Sequence, residues 1–165
     1  PKSATFRTCD VVGIDTLVKV AQGVADNCPN DEARDLFALP SFLNKMVENN
    51  WLGDKTGQGF YKKSKSAEGK KEILSLNLQT LEYGPQEKVK FPLLDPIKAE
   101  DNLCKRLKML VQMPDKAGEF IRLNFIYLFK YVSYRMPEIA DHLYQIDDAM
   151  MAGFGWELGP FATWD

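Results

Sequence analysis

Pro114-Asp-Lys-Ala-Gly-Glu-Phe-Ile-Arg-Leu-Asn-Phe-Ile-Tyr-Leu-Phe-Lys-Tyr-Val-Ser-Tyr-Arg-Met136 contains the most apolar run of the chain, from Phe120 to Val132. Arg122, Asn124 and Lys130 interrupt that run, which falls short of the roughly 20 residues a membrane-spanning helix needs. The stretch therefore reads as a helix of the protein core. Pro114 can open it, and Pro137 ends or kinks it. Its apolar residues face nearly every side, so it needs neighbours on several sides and is expected to be central.

The segments around it have helical spacing as well. Leu103, Leu107, Leu110 and Val111 form one apolar stripe within 97–112, which predicts a helix packed against the central one. Residues 146–152 predict a short helix with Gly153 as its C-terminal cap. Near the start of the chain, Leu17, Val18, Ala21 and Val24 recur at three- and four-residue spacing, predicting a helix over 12–25 with Asp15 favourably placed near its positive end. Pro40 opens a second helix that carries Phe42, Leu43, Met46 and Val47 through about Asn49. Between these helical halves, Leu74, Leu76 and Leu78 alternate with polar or exposed-type residues over 73–83, as in a half-buried strand. With Gly59 to Tyr61 this strand makes a small hairpin. Residues 84–96 carry three prolines and read as a connector.

Composition narrows the functional classes. A chain of 165 residues with 45% hydrophobic and 27% charged residues reads as an ordinary packed protein. A net charge of −2 excludes the electrostatic footprint of a nucleic-acid binder. Cys9, Cys28 and Cys104 are odd in number and lack metal-site spacing. They read as reduced thiols of a cytoplasmic protein. The chain has neither an initiator Met nor a basic-then-apolar leader, and both of its ends read as lying inside a longer polypeptide. Thr5-Phe-Arg-Thr-Cys-Asp10 and Pro160-Phe-Ala-Thr-Trp-Asp165 share Phe, Thr and Asp at identical spacing. An offset that long suggests a duplicated domain rather than a solenoid.

Three segments carry a family resemblance. Ile146-Asp-Asp-Ala-Met-Met-Ala-Gly-Phe-Gly-Trp-Glu-Leu-Gly-Pro-Phe161 resembles the helix-then-Gly-Pro-Phe signature of the 3-hydroxyacyl-CoA dehydrogenase C-terminal domain. Phe6-Arg-Thr-Cys-Asp-Val-Val-Gly-Ile-Asp-Thr-Leu17 is similar to the segment that follows this signature, and residues 40–61 to the motif that closes the domain. The resemblance implies a mainly α fold, a helical bundle of the 6-phosphogluconate dehydrogenase C-terminal type with a small β-hairpin.

Because the closing motif precedes the signature, the order implies two tandem copies, as in multidomain β-oxidation enzymes. Residues 1–63 would be the second half of the first helical repeat, 64–95 the hairpin and linker, and 96–165 the first half of the second. The activity implied is NAD-dependent oxidation of L-3-hydroxyacyl-CoA. The isolated chain is expected to be inactive, because the family's catalytic His and orienting Glu lie in a nucleotide-binding domain elsewhere.

The resemblance gives this chain no catalytic, NAD-binding or metal-binding residue. Ser3, Thr5 and Phe6 occupy the place of the Gly-Pro-Phe signature in copy one and are the expected substrate-proximal residues. Arg122 falls where the family carries a substrate-facing Asn; Asn124, about 200° further round the helix, cannot replace it. His142 reads as structural or exposed, and Gly57-x-Gly59 and Gly153-x-Gly155 as turns. The lysines between Lys62 and Lys71 read as a solvated hairpin tip, the alternative being attraction of CoA phosphates. The implied partners are the nucleotide-binding domain, acyl-CoA and a second copy of the protein in a homodimer, with neither nucleic acid nor a membrane span. Two other readings compete: a non-catalytic helical interaction or dimerisation module, and a related dehydrogenase of small hydroxyacids.

Overall fold

The computed structural model describes residues 4–66, 69–87 and 89–165. It is mainly helical and divides into two compact units, residues 1–88 and 89–165.

In the first unit, α1 (Thr5–Val12) and α2 (Ile14–Asn27) meet at Gly13, and α3 (Ser41–Glu48) follows a short 3-10 turn over Arg34–Phe37. The expected helix at 12–25 thus starts at Ile14, with the unforeseen α1 in front of it. Three strands, β1 (Tyr61–Lys65), β2 (Lys71–Leu76) and β3 (Tyr83–Pro85), pair antiparallel in that order. The strand expected to continue to Tyr83 stops at Leu76. There the Asn77 side chain accepts bonds from the amides of Gln79 and Thr80 (2.9 and 3.1 Å), an Asx turn that competes with the ladder. The chain reverses and forms β3, which begins at Tyr83, the last residue of the expected strand, and runs into the stretch expected to be a connector.

Ile14, Leu43, Met46, Phe60 and Leu76 form the core of this unit. Each such side chain contributes about 1.5–3 kcal/mol by leaving water. Leu78, Leu81 and Tyr83 pack against the same cluster, so the sheet is part of the unit's core.

Among these apolar groups sits one carboxylate. Asp10, in the last turns of α1, is 1% exposed. Its Oδ1 accepts from the Phe60 amide at 2.7 Å and its Oδ2 from the Tyr61 amide at 2.9 Å. The helix is thereby tied to the start of β1, 50 residues away. The glycines of the intervening loop make this approach possible. A Cβ on Gly53 would lie 2.2 Å from the Asp10 carbonyl oxygen, and one on Gly59 2.2 Å from Oδ1. Gly53 also has φ +101°, which L side chains rarely adopt.

The second unit runs α4 (Leu94–Lys98), α5 (Leu103–Gln112), α6 (Lys116–Ile139), α7 (Leu143–Phe154) and α8 (Pro160–Trp164). The helix expected over 97–112 is broken in two, because the Asn102 side chain accepts from the Lys105 amide (3.0 Å) and caps a new helix start. Asp115 caps α6 through the Gly118 amide (3.0 Å). Pro137 lies within the last turn of α6 and does not end it; a proline that near the end removes one bond while few residues remain to be disrupted. The cap of α7 is Gly155 in the left-handed region, not Gly153, which is an ordinary helical residue. The expected central position of α6 is not observed. Within this unit α6 packs chiefly on α5 and α8, and part of its circumference stays open. Phe120, Ile126, Tyr127 and Tyr134 are each about 60% exposed or more.

Replacing Asp10 by Ala strands two amides in an apolar setting. The expected loss is about 3 kcal/mol, at about 1–3 kcal/mol per unsatisfied buried donor, read as a lower urea midpoint. Unchanged unfolding of the Asp10→Ala variant would contradict the role given to this carboxylate.

Candidate functional site

Of the three expected substrate-proximal residues, Ser3 lies outside the described residues. Thr5 opens α1 and is exposed. Phe6, one residue on, turns its ring toward that of Phe60, with centroids 4.7 Å apart, and Phe60 in turn meets Phe42 edge-on at 6.4 Å. Phe6, Phe60, Tyr61, Ser75, Leu76 and Leu78 line a small cleft of about 160 Å³. This cleft is mostly apolar, with no carboxylate, histidine or lysine in its lining; it can hold a hydrocarbon group.

Tyr83 packs against the same core cluster as Phe60. Its hydroxyl donates to the Gly59 carbonyl at 2.6 Å, and its ring meets Trp51 edge-on. Burial, and then the nearby charge of Asp10, push its pKa from 10.0 to about 12. Burial also raises the Cys9 thiol, with Asp10 adding to the shift. On the exposed side, Arg7 makes a two-pronged pair with Asp54 (2.9 and 2.7 Å). Both partners are more than 40% exposed, so the pair positions the 3-10 turn at Asp54–Thr56 more than it stabilises the unit.

In the second unit, α5, α6 and α8 enclose a cleft of about 440 Å³ lined by Leu107, Val111, Phe125, Phe129 and Trp164, with Lys108 and Arg122 also at its wall. Phe125 stacks on Phe129, and Phe129 on Trp164, at 5.5 and 5.3 Å. Arg122 is engaged with the backbone. Its Nη1 donates to the carbonyls of Val111 (2.8 Å) and Met113 (2.6 Å). These lie at the C-terminal end of α5, where carbonyls lack helical partners and positive charge is favoured. The Asn124 amide donates back to Phe120 O at 2.7 Å on the exposed face.

His142, the single histidine of the chain, is exposed at the N-cap of α7 and stacks on Tyr144. No cluster of three His, Cys, Asp or Glu side chains suited to a metal occurs among the described residues. The Gly-x-Gly patterns serve packing and turns. Gly57 is left-handed after the 3-10 turn and Gly59 lies against Asp10, while Gly155 caps α7.

Two carboxylates escaped the sequence reading. Asp10 is one. The other is Asp147, whose two oxygens accept from the amides of Phe161 and Ala162, both at 2.8 Å, capping α8. A Cβ on Gly159 would lie 2.3 Å from Asp147 atoms. In sequence, the available signal was an acidic residue set among Cys9, Val11 and Val12, or next to Ile146, where a charge needs a partner. The two matching hexapeptides also have matching local structure, since Thr5 opens α1 and Pro160 opens α8.

Residues 1–63 match the family model of the 3-hydroxyacyl-CoA dehydrogenase C-terminal domain. Over all 165 residues the chain is 46% identical to a "Probable 3-hydroxyacyl-CoA dehydrogenase" of Bacillus subtilis (strain 168), of which it covers 20%. A protein of the same name from Deinococcus radiodurans is 46% identical over 63 residues, 38% of this chain and 17% of that protein. The "Fatty acid oxidation complex subunit alpha" of a Psychrobacter species is 41% identical over 61 residues, 37% of this chain and 8% of that protein. The chain spans about a fifth of the length of this Bacillus subtilis relative. No solved structure matches it significantly.

Two outcomes test these assignments. Arg122→Ala should lower stability by about 2 kcal/mol, since it removes charge-assisted bonds to two carbonyls, read as a lower melting temperature. Unchanged melting would contradict the structural role. Tyr83 has a folded pKa above its unfolded value, so its contribution to stability is complete below about pH 10 and is lost as pH rises toward 12. Phenolate absorbance should show one tyrosine titrating near 12 that is missing in Tyr83→Phe; if all tyrosines ionise near 10, the burial argument fails.

Proposed function

Because this chain is related by sequence to the helical C-terminal domain of the 3-hydroxyacyl-CoA dehydrogenases, we propose that it is the C-terminal helical region of an NAD-dependent L-3-hydroxyacyl-CoA dehydrogenase of fatty-acid β-oxidation. The observation that carries this reading is the end-to-end similarity to one dehydrogenase relative at 46% identity. In this reading the chain spans two helical repeats: 1–63 ends the first, 64–95 is hairpin and linker, and 96–165 begins the second. The matching helix starts at Thr5 and Pro160 support the duplication.

The chain's own contribution is binding and assembly. Phe6 and its cleft offer an apolar wall to an acyl group, and Thr5 stands beside it on the first turn of α1. Arg122, which holds α5 to α6, makes the second repeat a packing element rather than a second substrate site. The remaining partners are a nucleotide-binding domain of the same protein and a second copy of the chain.

NAD supplies the hydride acceptor in such enzymes, and the described residues do not fit it. A dinucleotide site needs a Gly-rich turn leading from a strand into a helix, so that free amides face the pyrophosphate. Gly57-x-Gly59 instead leads from a 3-10 turn into β1, and Gly153-x-Gly155 ends α7. The proton-abstracting His is likewise assigned to another domain, as His142 is an exposed helix-cap residue.

Calorimetric titration of the 165-residue chain with NAD should show no binding, whereas the whole protein should reduce NAD when given L-3-hydroxyacyl-CoA. Micromolar NAD affinity of the chain would overturn the division of labour. Preference of the whole protein for small free hydroxyacids over CoA thioesters would overturn the substrate class.

A further inference from the structure

The β1–β2 hairpin carries an arrangement of charge that the dehydrogenase reading does not use. Its register pairs Lys63 with Ile73 and Lys65 with Lys71. Residues directly opposite in an antiparallel pair share a face, and so do residues two apart along a strand. Lys63, Lys65, Lys71 and Ile73 therefore occupy one face, and all four are exposed. The opposite face carries Leu74 and the core residue Leu76. Two like charges directly across a ladder oppose pairing. A solvated hairpin would be better served by a Lys–Glu pair at this position.

Two nearby lysines are engaged: Lys55 pairs with Asp15, and Lys62 lies over the Tyr83 ring at 5.4 Å. Among the described residues, no ion pair joins Lys63, Lys65 or Lys71 to a carboxylate. Strand alternation assigns the Glu72 side chain to the other face with Ser64. Nearby Asp54 is neutralised by Arg7. The concentration of positive charge stands out in a chain whose net charge is −2.

The face also borders open clefts. One, of about 600 Å³, is bordered by Lys63, Lys65, Lys71 and Ile73, with Ser64 and the acidic residue Glu72 at its margin. A second, of about 360 Å³, adjoins it through Lys63 and Ile73 and reaches Tyr61 and Gln86. Both fall in the size range of small-ligand sites, about 300–1,000 Å³.

We propose that this lysine-lined face of the hairpin is a binding site for a soluble, phosphate-bearing metabolite, independently of the dehydrogenase reading. Lys63 and Lys65 are about 7 Å apart along the strand, within the roughly 8 Å over which charges act together at physiological salt. A phosphate group can therefore engage the Lys65–Lys71 pair and feel Lys63 as well. Its several oxygens accept from ammonium groups as point charges, and its charge removes the repulsion across the ladder. Ile73, 55% exposed among the lysines, and the adjoining cleft can then cover the organic part of the ligand. A lipid headgroup presents the same phosphate chemistry, but a membrane surface cannot enter adjoining clefts.

Sodium pyrophosphate, titrated at constant ionic strength into the isotope-labelled 165-residue chain, should shift the amides of β1 and β2 saturably. The Lys65→Gln/Lys71→Gln variant should bind about tenfold more weakly. It should melt no lower than the parent, because a like-charge pair has been removed. A Lys19→Gln/Lys45→Gln control, which removes exposed lysines outside the hairpin, should bind as the parent does. Equal weakening in both variants, absence of saturation up to about 20 mM, or binding to phosphatidylglycerol vesicles without saturable pyrophosphate binding would each overturn the proposal.

Discussion

The first unit depends on one buried carboxylate. Asp10 has lost nearly all contact with water, a costly state for a charge unless hydrogen bonds replace the lost solvent. The Phe60 and Tyr61 amides supply those bonds, and this requirement organises what surrounds it. The loop between α3 and β1 must bring its backbone against the end of α1, and only glycine fits at Gly53 and Gly59. Phe60 is then drawn into the core beside Ile14 and Met46, and β1 leaves in the direction that β2 and β3 follow. Tyr83 closes the arrangement by donating to the Gly59 carbonyl.

The second unit uses the same chemistry on a smaller scale. Asp147 binds two consecutive amides at the start of α8, against a glycine, and Arg122 binds two carbonyls at the end of α5. Helix ends carry unsatisfied donors at one terminus and acceptors at the other, and each end here meets a side chain of suitable charge. Arg122 thereby ties the end of α5 to α6 through one guanidinium nitrogen, Nη1, while its side chain also borders the cleft between these helices.

Most of the candidate site was legible in part. Phe6 could be singled out from the motif it belongs to, and the structure sets it beside Phe60 above a small apolar cleft. Its actual neighbours, Ser75, Leu76 and Leu78, come from strands whose register depends on a turn at Asn77. The lysines near the hairpin were visible as a cluster in the sequence. Which of them share a face was not, since a shift of one residue in register would place Glu72 rather than Lys71 opposite Lys65.

By itself the sequence determined the mainly helical class, the positions of α2, α3, α6 and a hairpin, and the relationship to the dehydrogenase C-terminal domain. Periodicity and motif spacing are local properties of the chain, and local properties survive without tertiary context. Only the tertiary structure decided that α6 exposes much of its surface, that the helix over 97–112 breaks at Asn102, and that Asp10, Asp147 and Arg122 have backbone partners. For Asp10, Asp147 and Arg122 the physical reason is the same. A polar group's environment is set by backbone groups that are distant in sequence or belong to another element, and neither hydrophobic periodicity nor residue type records which of them will arrive.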